Sequence, residues 1–320
     1  MLNYMSVALA LIICAPLGLA QREIPDDNLA YPVLISQTDC ADGVVSIQGT
    51  GFFINTESSA YLVTARHVLF NESPKPLPSQ PNQPRPRTLW CKKAESHSFS
   101  RKPEEAQLNR FSIDLEMLNN AGMVKAHATH DVAVVKIGVI ATAAVPASAV
   151  PTATTPPVVV TTAPKQMTAV AGVILIQKSP SGMLGADLDT LVKFEQVLTA
   201  NDIYVLGYPE SIGLQQAPQV DYTTPLLRKG IIAGTNSANK TIVLDCMTFH
   251  GNSGGPVLEV IHQGFASQFR IVGVISQYVP VAETWVNTAQ SYANMQLYNS
   301  GYSIAEPMDP VLELIGNDAH

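Results

Sequence analysis

Apolar residues in this chain fall into short runs rich in Val and Ile, divided by Gly, Pro, Asn and Asp. Runs of that length between turn residues read as strands. Gly43–Gln48 and Gly51–Asn55 form two strands separated by a Gly49-Thr50 turn, and Tyr61–Thr64 a third. Val132–Ile137 is a β-branched run led by His130 and Asp131. Beyond Val170 come six more candidates: Val173–Ile176, Asp202–Gly207, Leu226–Ala233, Thr241–Leu244, Val257–Ile261 and Arg270–Ser276. Strands at this spacing predict an antiparallel barrel. One segment has a helical pattern: Asp309–Gly316 offers an Asp cap, Pro310 in the first turn, Gly316 at the end and Val311, Leu314 and Ile315 on one face.

Two stretches interrupt the strands. Residues 71–105 carry many prolines and several basic residues. Proline removes backbone donors, so this insertion is expected to be an extended, exposed, solvated loop. Residues 141–171 are built from Ala, Val, Pro and Thr, and read as a linker or surface loop with room for edge strands. At the start, residues 1–20 read as a signal peptide: an apolar core over 6–20, with Gly18 and Ala20 placed for cleavage before Gln21. The mature protein is then exported, periplasmic or extracellular, with no stable membrane insertion. Met1–Met5 hold no Lys or Arg, which leaves an uncleaved anchor as the alternative.

With 320 residues, 46% hydrophobic and 14% charged, the chain can bury one large core or two small ones. A net charge of −7 argues against nucleic acid as a partner. Signal removal leaves Cys40, Cys91 and Cys246. Export permits a disulfide, but three thiols leave one over, so a single pair and three separate thiols both stay open, with Cys246 then a small buried hydrophobe. No cysteine has zinc-site spacing. His127 and His130, three apart on a strand, point to opposite faces. No metal or cofactor is expected.

The chemistry concentrates in Thr248-Phe249-His250-Gly251-Asn252-Ser253-Gly254-Gly255-Pro256-Val257. Gly251 lets the backbone turn so that its N–H and that of Ser253 converge where an oxyanion would form. A hydroxyl is a weak nucleophile and needs an imidazole base held by a carboxylate. Thr64-Ala65-Arg66-His67 and His130-Asp131-Val132 supply them, with His67 at a strand end. Gly251–Gly255 also fits the G-x-S-x-G elbow of α/β-hydrolases, but their order is serine, acid, histidine. Here the order is His67, Asp131, Ser253, and the run after the serine reads as strand instead of helix.

Together with Gly49-Thr50-Gly51-Phe52-Phe53-Ile54, Val205-Leu206-Gly207-Tyr208-Pro209 and Gly273-Val274-Ile275-Ser276, these residues make the chain resemble the trypsin/chymotrypsin-like serine proteases. It is most similar to the bacterial trypsin-like peptidases, a branch that includes the protease domain of the high-temperature-requirement family, here without a PDZ domain. The resemblance implies an all-β, chymotrypsin-like fold: two six-stranded antiparallel β-barrels with a short C-terminal helix. The first barrel would span residues 21–140 and carry His67 and Asp131. The second would span 172–320 and carry Ser253. The implied function is a serine endopeptidase acting on protein or peptide substrates through a His67, Asp131, Ser253 triad, with Gly251 and Ser253 as the oxyanion hole. Ser276 would lie beside the substrate backbone. Met247 stands where trypsin-like members place an aspartate, which argues against a basic side chain in the pocket; Thr248 and His250 complete the expected substrate-binding set. A catalytically silent protease-fold binding protein and a serine esterase are the alternatives.

Overall fold

The computed structural model describes residues 24, 30–38, 45–70, 91–98, 107–141, 166–177, 184–209, 217–220, 224–263, 266–290 and 292–316. The signal segment 1–20, Cys40 and most of the two interrupting stretches lie outside these residues. Sixteen strands, among the described residues, form two sheets. The first holds β1 (Pro32–Thr38), β2 (Val45–Asn55), β3 (Ser59–Thr64), β4 (Cys91–Ser98), β5 (Gln107–Asp114), β6 (Val124–Ala126), β7 (Ala133–Ala141), β8 (Gln166–Ala169), β9 (Val173–Gln177) and β10 (Ala186–Asp187). Its main path runs β6-β7-β3-β2-β1-β4-β5-β9, with β8 paired to β7 and β10 to β2. The second is a closed barrel of β11 (Asp202–Gly207), β12 (Leu226–Asn236), β13 (Thr241–Asp245), β16 (Tyr292–Pro307), β15 (Ala266–Asn287) and β14 (Pro256–Gln263), in that order. This is the expected all-β double-barrel arrangement, closed by the short helix α3 described below.

Side-chain alternation explains why several strands read as unbroken apolar runs. In β3, Leu62 enters the core of the first sheet while Tyr61 and Val63 enter a second core shared by both sheets. Strand β7 divides its residues likewise, Val135 inward and Val134 toward the shared core. In β11, Tyr204 and Leu206 reach the shared core from the other side, while Ile203 and Val205 fill the closed barrel. A strand buried on both faces has no polar face to show.

Four local expectations are corrected. Gly49-Thr50 is not a turn: β2 runs through it, and Gly51 pairs with both Val33 and Thr64. The insertion at 71–105 contains β4, a proline-free stretch paired with β1 and β5. Val173–Ile176 lies in β9 and joins the first sheet by pairing with β5, bringing that sheet to ten strands where six were expected. The sixth strand of the closed barrel is instead β16, which the apolar pattern does not reveal because its residues 292–298 are exposed on both faces. Within 141–171 an edge strand does form, β8, while 142–165 lie outside the described residues.

The helical elements are short: α1 (Arg66–Leu69), α2 (Leu115–Asn120) and α3 (Asp309–Ile315). Helix α3 seats Val311 and Ile315 in the shared core and ends at Gly316 with φ 64°. Its cap differs from expectation. Met308 is the N-cap and makes no side-chain cap bond. The Asp309 carboxylate instead accepts the Phe194 N–H at 2.7 Å, tying the helix to the connection before the second barrel.

Candidate active site

His67 lies in the first turn of α1, three residues past the end of β3, and not on the strand itself. Asp131 lies between β6 and β7, where Arg66 holds the connection: its Nη1 donates to the His127 carbonyl at 2.8 Å, and its backbone N–H donates to the Asp131 carbonyl at 3.2 Å. The two residues therefore meet twice. The His67 backbone N–H donates to Asp131 Oδ1 at 3.0 Å, and His67 Nδ1 lies 2.7 Å from Oδ2. Ser276 Oγ, arriving from β15, donates to the same Oδ2 at 2.8 Å.

Burial pushes the Asp131 pKa up, but the imidazole hydrogen bond and charge of His67, its backbone N–H and the Ser276 hydroxyl outweigh it and hold the carboxyl below its ordinary 3.8. The sign follows from linkage. A folded pKa below the unfolded value means that the unfolded chain takes up the proton more readily. The stabilisation is thus complete above the ordinary 3.8 and is lost as pH falls through the folded pKa. Denaturant unfolding of the parent and Asp131→Asn should show a stability gap near neutral pH that narrows as the acid range is entered. A gap independent of pH would overturn this account.

Ser253 sits in the turn between β13 and β14, flanked by Gly251 at φ 88° and Gly254 at φ 85°. Its Oγ donates to the Ser276 carbonyl at 3.2 Å, so Ser276 touches both the acid and the serine. Among the described residues, the neighbouring N–H groups are engaged: Asn252 N donates to Phe249 O at 3.0 Å and Gly254 N to Ile275 O at 2.6 Å. Those of Gly251 and Ser253 have no protein acceptor among the same residues. Two unengaged N–H groups one residue apart, beside a serine hydroxyl, are what a developing oxyanion requires.

Comparison with known proteins places the chain in a family. The family described as "Trypsin-like peptidase domain" matches residues 49–264, a span containing His67, Asp131 and Ser253. The chain belongs to the trypsin-like peptidase domain family. It is a peptidase by that membership, with peptides as its substrates. No curated protein matches it. Among 158 matching chains of solved structures is the protease Anisep from Arthrobacter nicotinovorans, 12% identical, with 91% of this chain and 96% of that chain covered at a TM-score of 0.43. So distant a likeness carries no argument.

The expected substrate-binding residues of this trypsin-like peptidase divide between surface and interior. Met247 is exposed, and so is His250, whose ring meets that of Tyr278 edge-on at 5.6 Å. Thr248 is buried, its hydroxyl 2.8 Å from that of Ser303, which in turn donates to the Cys246 carbonyl. Cys246 is a free, buried thiol whose pKa rises to about 11, chiefly through burial. It packs in the core of the closed barrel, which agrees with the hydrophobe reading. The Cys91 side chain lies outside the described ones. No group of three or more His, Cys, Asp or Glu suited to a metal ion occurs among the described residues.

Sequence reasoning missed the residue that joins the serine turn to the first sheet, Thr50. Its N–H donates to the Ser253 carbonyl at 2.8 Å, its Oγ1 donates to the Gly251 carbonyl at 2.7 Å, and the same Oγ1 accepts the Tyr208 N–H at 3.0 Å. Thr64 Oγ1 then donates to the Thr50 carbonyl at 2.6 Å. The signal was present. Glycines on both sides of a threonine within a strand mark the close approach of another backbone, and a Cβ on Gly49 would meet Ser253 O at 3.0 Å.

Proposed function

We propose that this peptidase is a serine endopeptidase working through His67, Asp131 and Ser253. The observation that supports the reading is that Ser276 bridges the acid and the serine: its hydroxyl donates to the Asp131 carboxylate that holds His67 Nδ1 at 2.7 Å, and its carbonyl accepts the Ser253 hydroxyl. The Asp131 contact keeps the Nδ1 proton in place and leaves Nε2 as the base. Ser253 Oγ loses its proton to Nε2 as it bonds to the scissile carbonyl carbon, and the carbonyl oxygen becomes the oxyanion received by the Gly251 and Ser253 N–H groups. Protonated His67, stabilised by Asp131, gives that proton to the departing amine. Water then repeats the sequence to release the acyl group. Met247, exposed on the same turn, offers a thioether and no charge, which favours uncharged side chains over basic ones at the cleaved bond. The uncharged apolar segment at residues 6–20 supports export to the periplasm or the exterior.

One observation favours the silent binding protein as a second reading: the Ser253 hydroxyl donates to the Ser276 carbonyl. A single χ1 rotation frees it, since staggered wells are separated by modest barriers. Incubation with a serine-directed fluorophosphonate, followed by mass mapping of the labelled residue and a pH series of peptide cleavage, separates the readings. The endopeptidase carries the label on Ser253, and its cleavage rate rises from acid to neutral pH, as a mechanism with a general base requires. A folded protein that neither labels nor cleaves, or a rate flat from acid to neutral pH, would sink the proposal.

A further inference from the structure

We infer that Glu306 is a positioning residue for Asp131, holding from the second barrel the end of that residue which the first barrel does not. Glu306 lies on β16, paired with Val274 of β15, and is only 6% exposed. Its Oε1 accepts the Asp131 backbone N–H at 3.4 Å, and its Oε2 lies 2.6 Å from His130 Nδ1. Two adjacent strands of the second barrel thus grip the acid at both ends: β15 through Ser276 on the carboxylate, β16 through Glu306 on the backbone.

The charge arrangement explains why a buried glutamate is tolerated there. An unpaired carboxylate so close to Asp131 would be costly to bury and would oppose ionisation of its neighbour. His130 answers both problems by donating to Oε2. His127 and His130 do not point to opposite faces as expected, because both lie in the connection between β6 and β7 and not on a strand: their rings pack with centroids 5.0 Å apart, and His127 Nε2 reaches Glu313 of α3 at 3.2 Å. The chain of contacts runs from the C-terminal helix through two histidines to the segment carrying the acid. Because the barrels supply different members of the site, a contact crossing between them fixes the His67–Asp131 geometry more firmly than either sheet alone. Small displacements of such groups are felt in the rate and not in binding.

The test compares Glu306→Ala and Glu306→Gln, the second keeping an oxygen to accept the Asp131 N–H. Two readouts are taken on the folded protein: the low-field NMR signal of the His67 Nδ1 proton, and kcat with KM for peptide cleavage. The kinetic arm rests on the endopeptidase reading; the NMR arm does not, so failure of one is distinguishable from failure of the other. Glu306→Ala should weaken or broaden the Nδ1 signal and lower kcat on the order of tenfold, with KM changed by less than about twofold. Glu306→Gln should restore most of both. If Glu306→Ala does not fold, His130→Ala takes its place, and should broaden the signal by releasing Oε2. An unchanged signal and kcat in the folded alanine variant, or equal losses in the alanine and glutamine variants, overturns the inference.

Discussion

Ser253→Ala is expected to lower kcat for peptide cleavage by about a million-fold while leaving the fold intact. The size follows from the division of labour. In the proposed mechanism His67 and Asp131 serve to activate this hydroxyl, so without it the acyl-enzyme cannot form, and what would survive is the stabilisation offered by the two N–H groups of the turn. Stability should hardly move, because among the described residues the Ser253 hydroxyl makes one bond, to the Ser276 carbonyl, whereas the turn is held by its backbone through Thr50 and Ile275. Steady-state cleavage with a circular dichroism melt on the same sample checks both halves. Retention of even a hundredth of the parental rate, with the fold preserved, would remove Ser253 from the role of nucleophile.

Gly254→Ala should destabilise the protein by more than about 3 kcal/mol, or prevent folding. Two costs add at this position. The backbone sits at φ 85°, which costs an L-residue about 1–2 kcal/mol. A Cβ there would also stand 2.1 Å from the Thr50 carbonyl oxygen and 2.1 Å from Thr64 Oγ1, both belonging to the facing sheet. Gly301 provides the control: its φ is 91°, yet nothing lies within 4 Å of an added Cβ. Gly301→Ala should therefore show the conformational cost alone, about 1–2 kcal/mol. Denaturant midpoints of the two variants measure the difference. Equal losses would mean that the serine turn does not depend on close contact between the barrels.

Much of this is legible in the sequence because the signals are local. The turn around Ser253 announces itself by glycine at the two positions that need positive φ, Gly251 and Gly254. The strands β3, β7 and β11 announce themselves as short apolar runs because each is buried on both faces. Where a strand lacks an apolar run, the pattern fails: β16 is exposed over half its length, and the sequence of β4 carries Lys, Glu, Ser and His. Gly49-Thr50 misleads for a different reason. The composition of a turn is also the composition of a strand approached closely by another backbone, and only the partner distinguishes them.

The sequence by itself determined the kind of fold, the order His67, Asp131, Ser253 and the conformational freedom of the serine turn, since each depends on residue type over a few neighbouring positions. The tertiary structure alone decided which sheet β9 joins, that Thr50 anchors the serine turn, and that Ser276 and Glu306 both reach Asp131. The contacts of Thr50, Ser276 and Glu306 join residues more than a hundred positions apart. Side-chain type leaves their partners open, because a buried threonine or glutamate can satisfy its hydrogen bonds in many ways. Packing of two sheets across a shared core selects one of them.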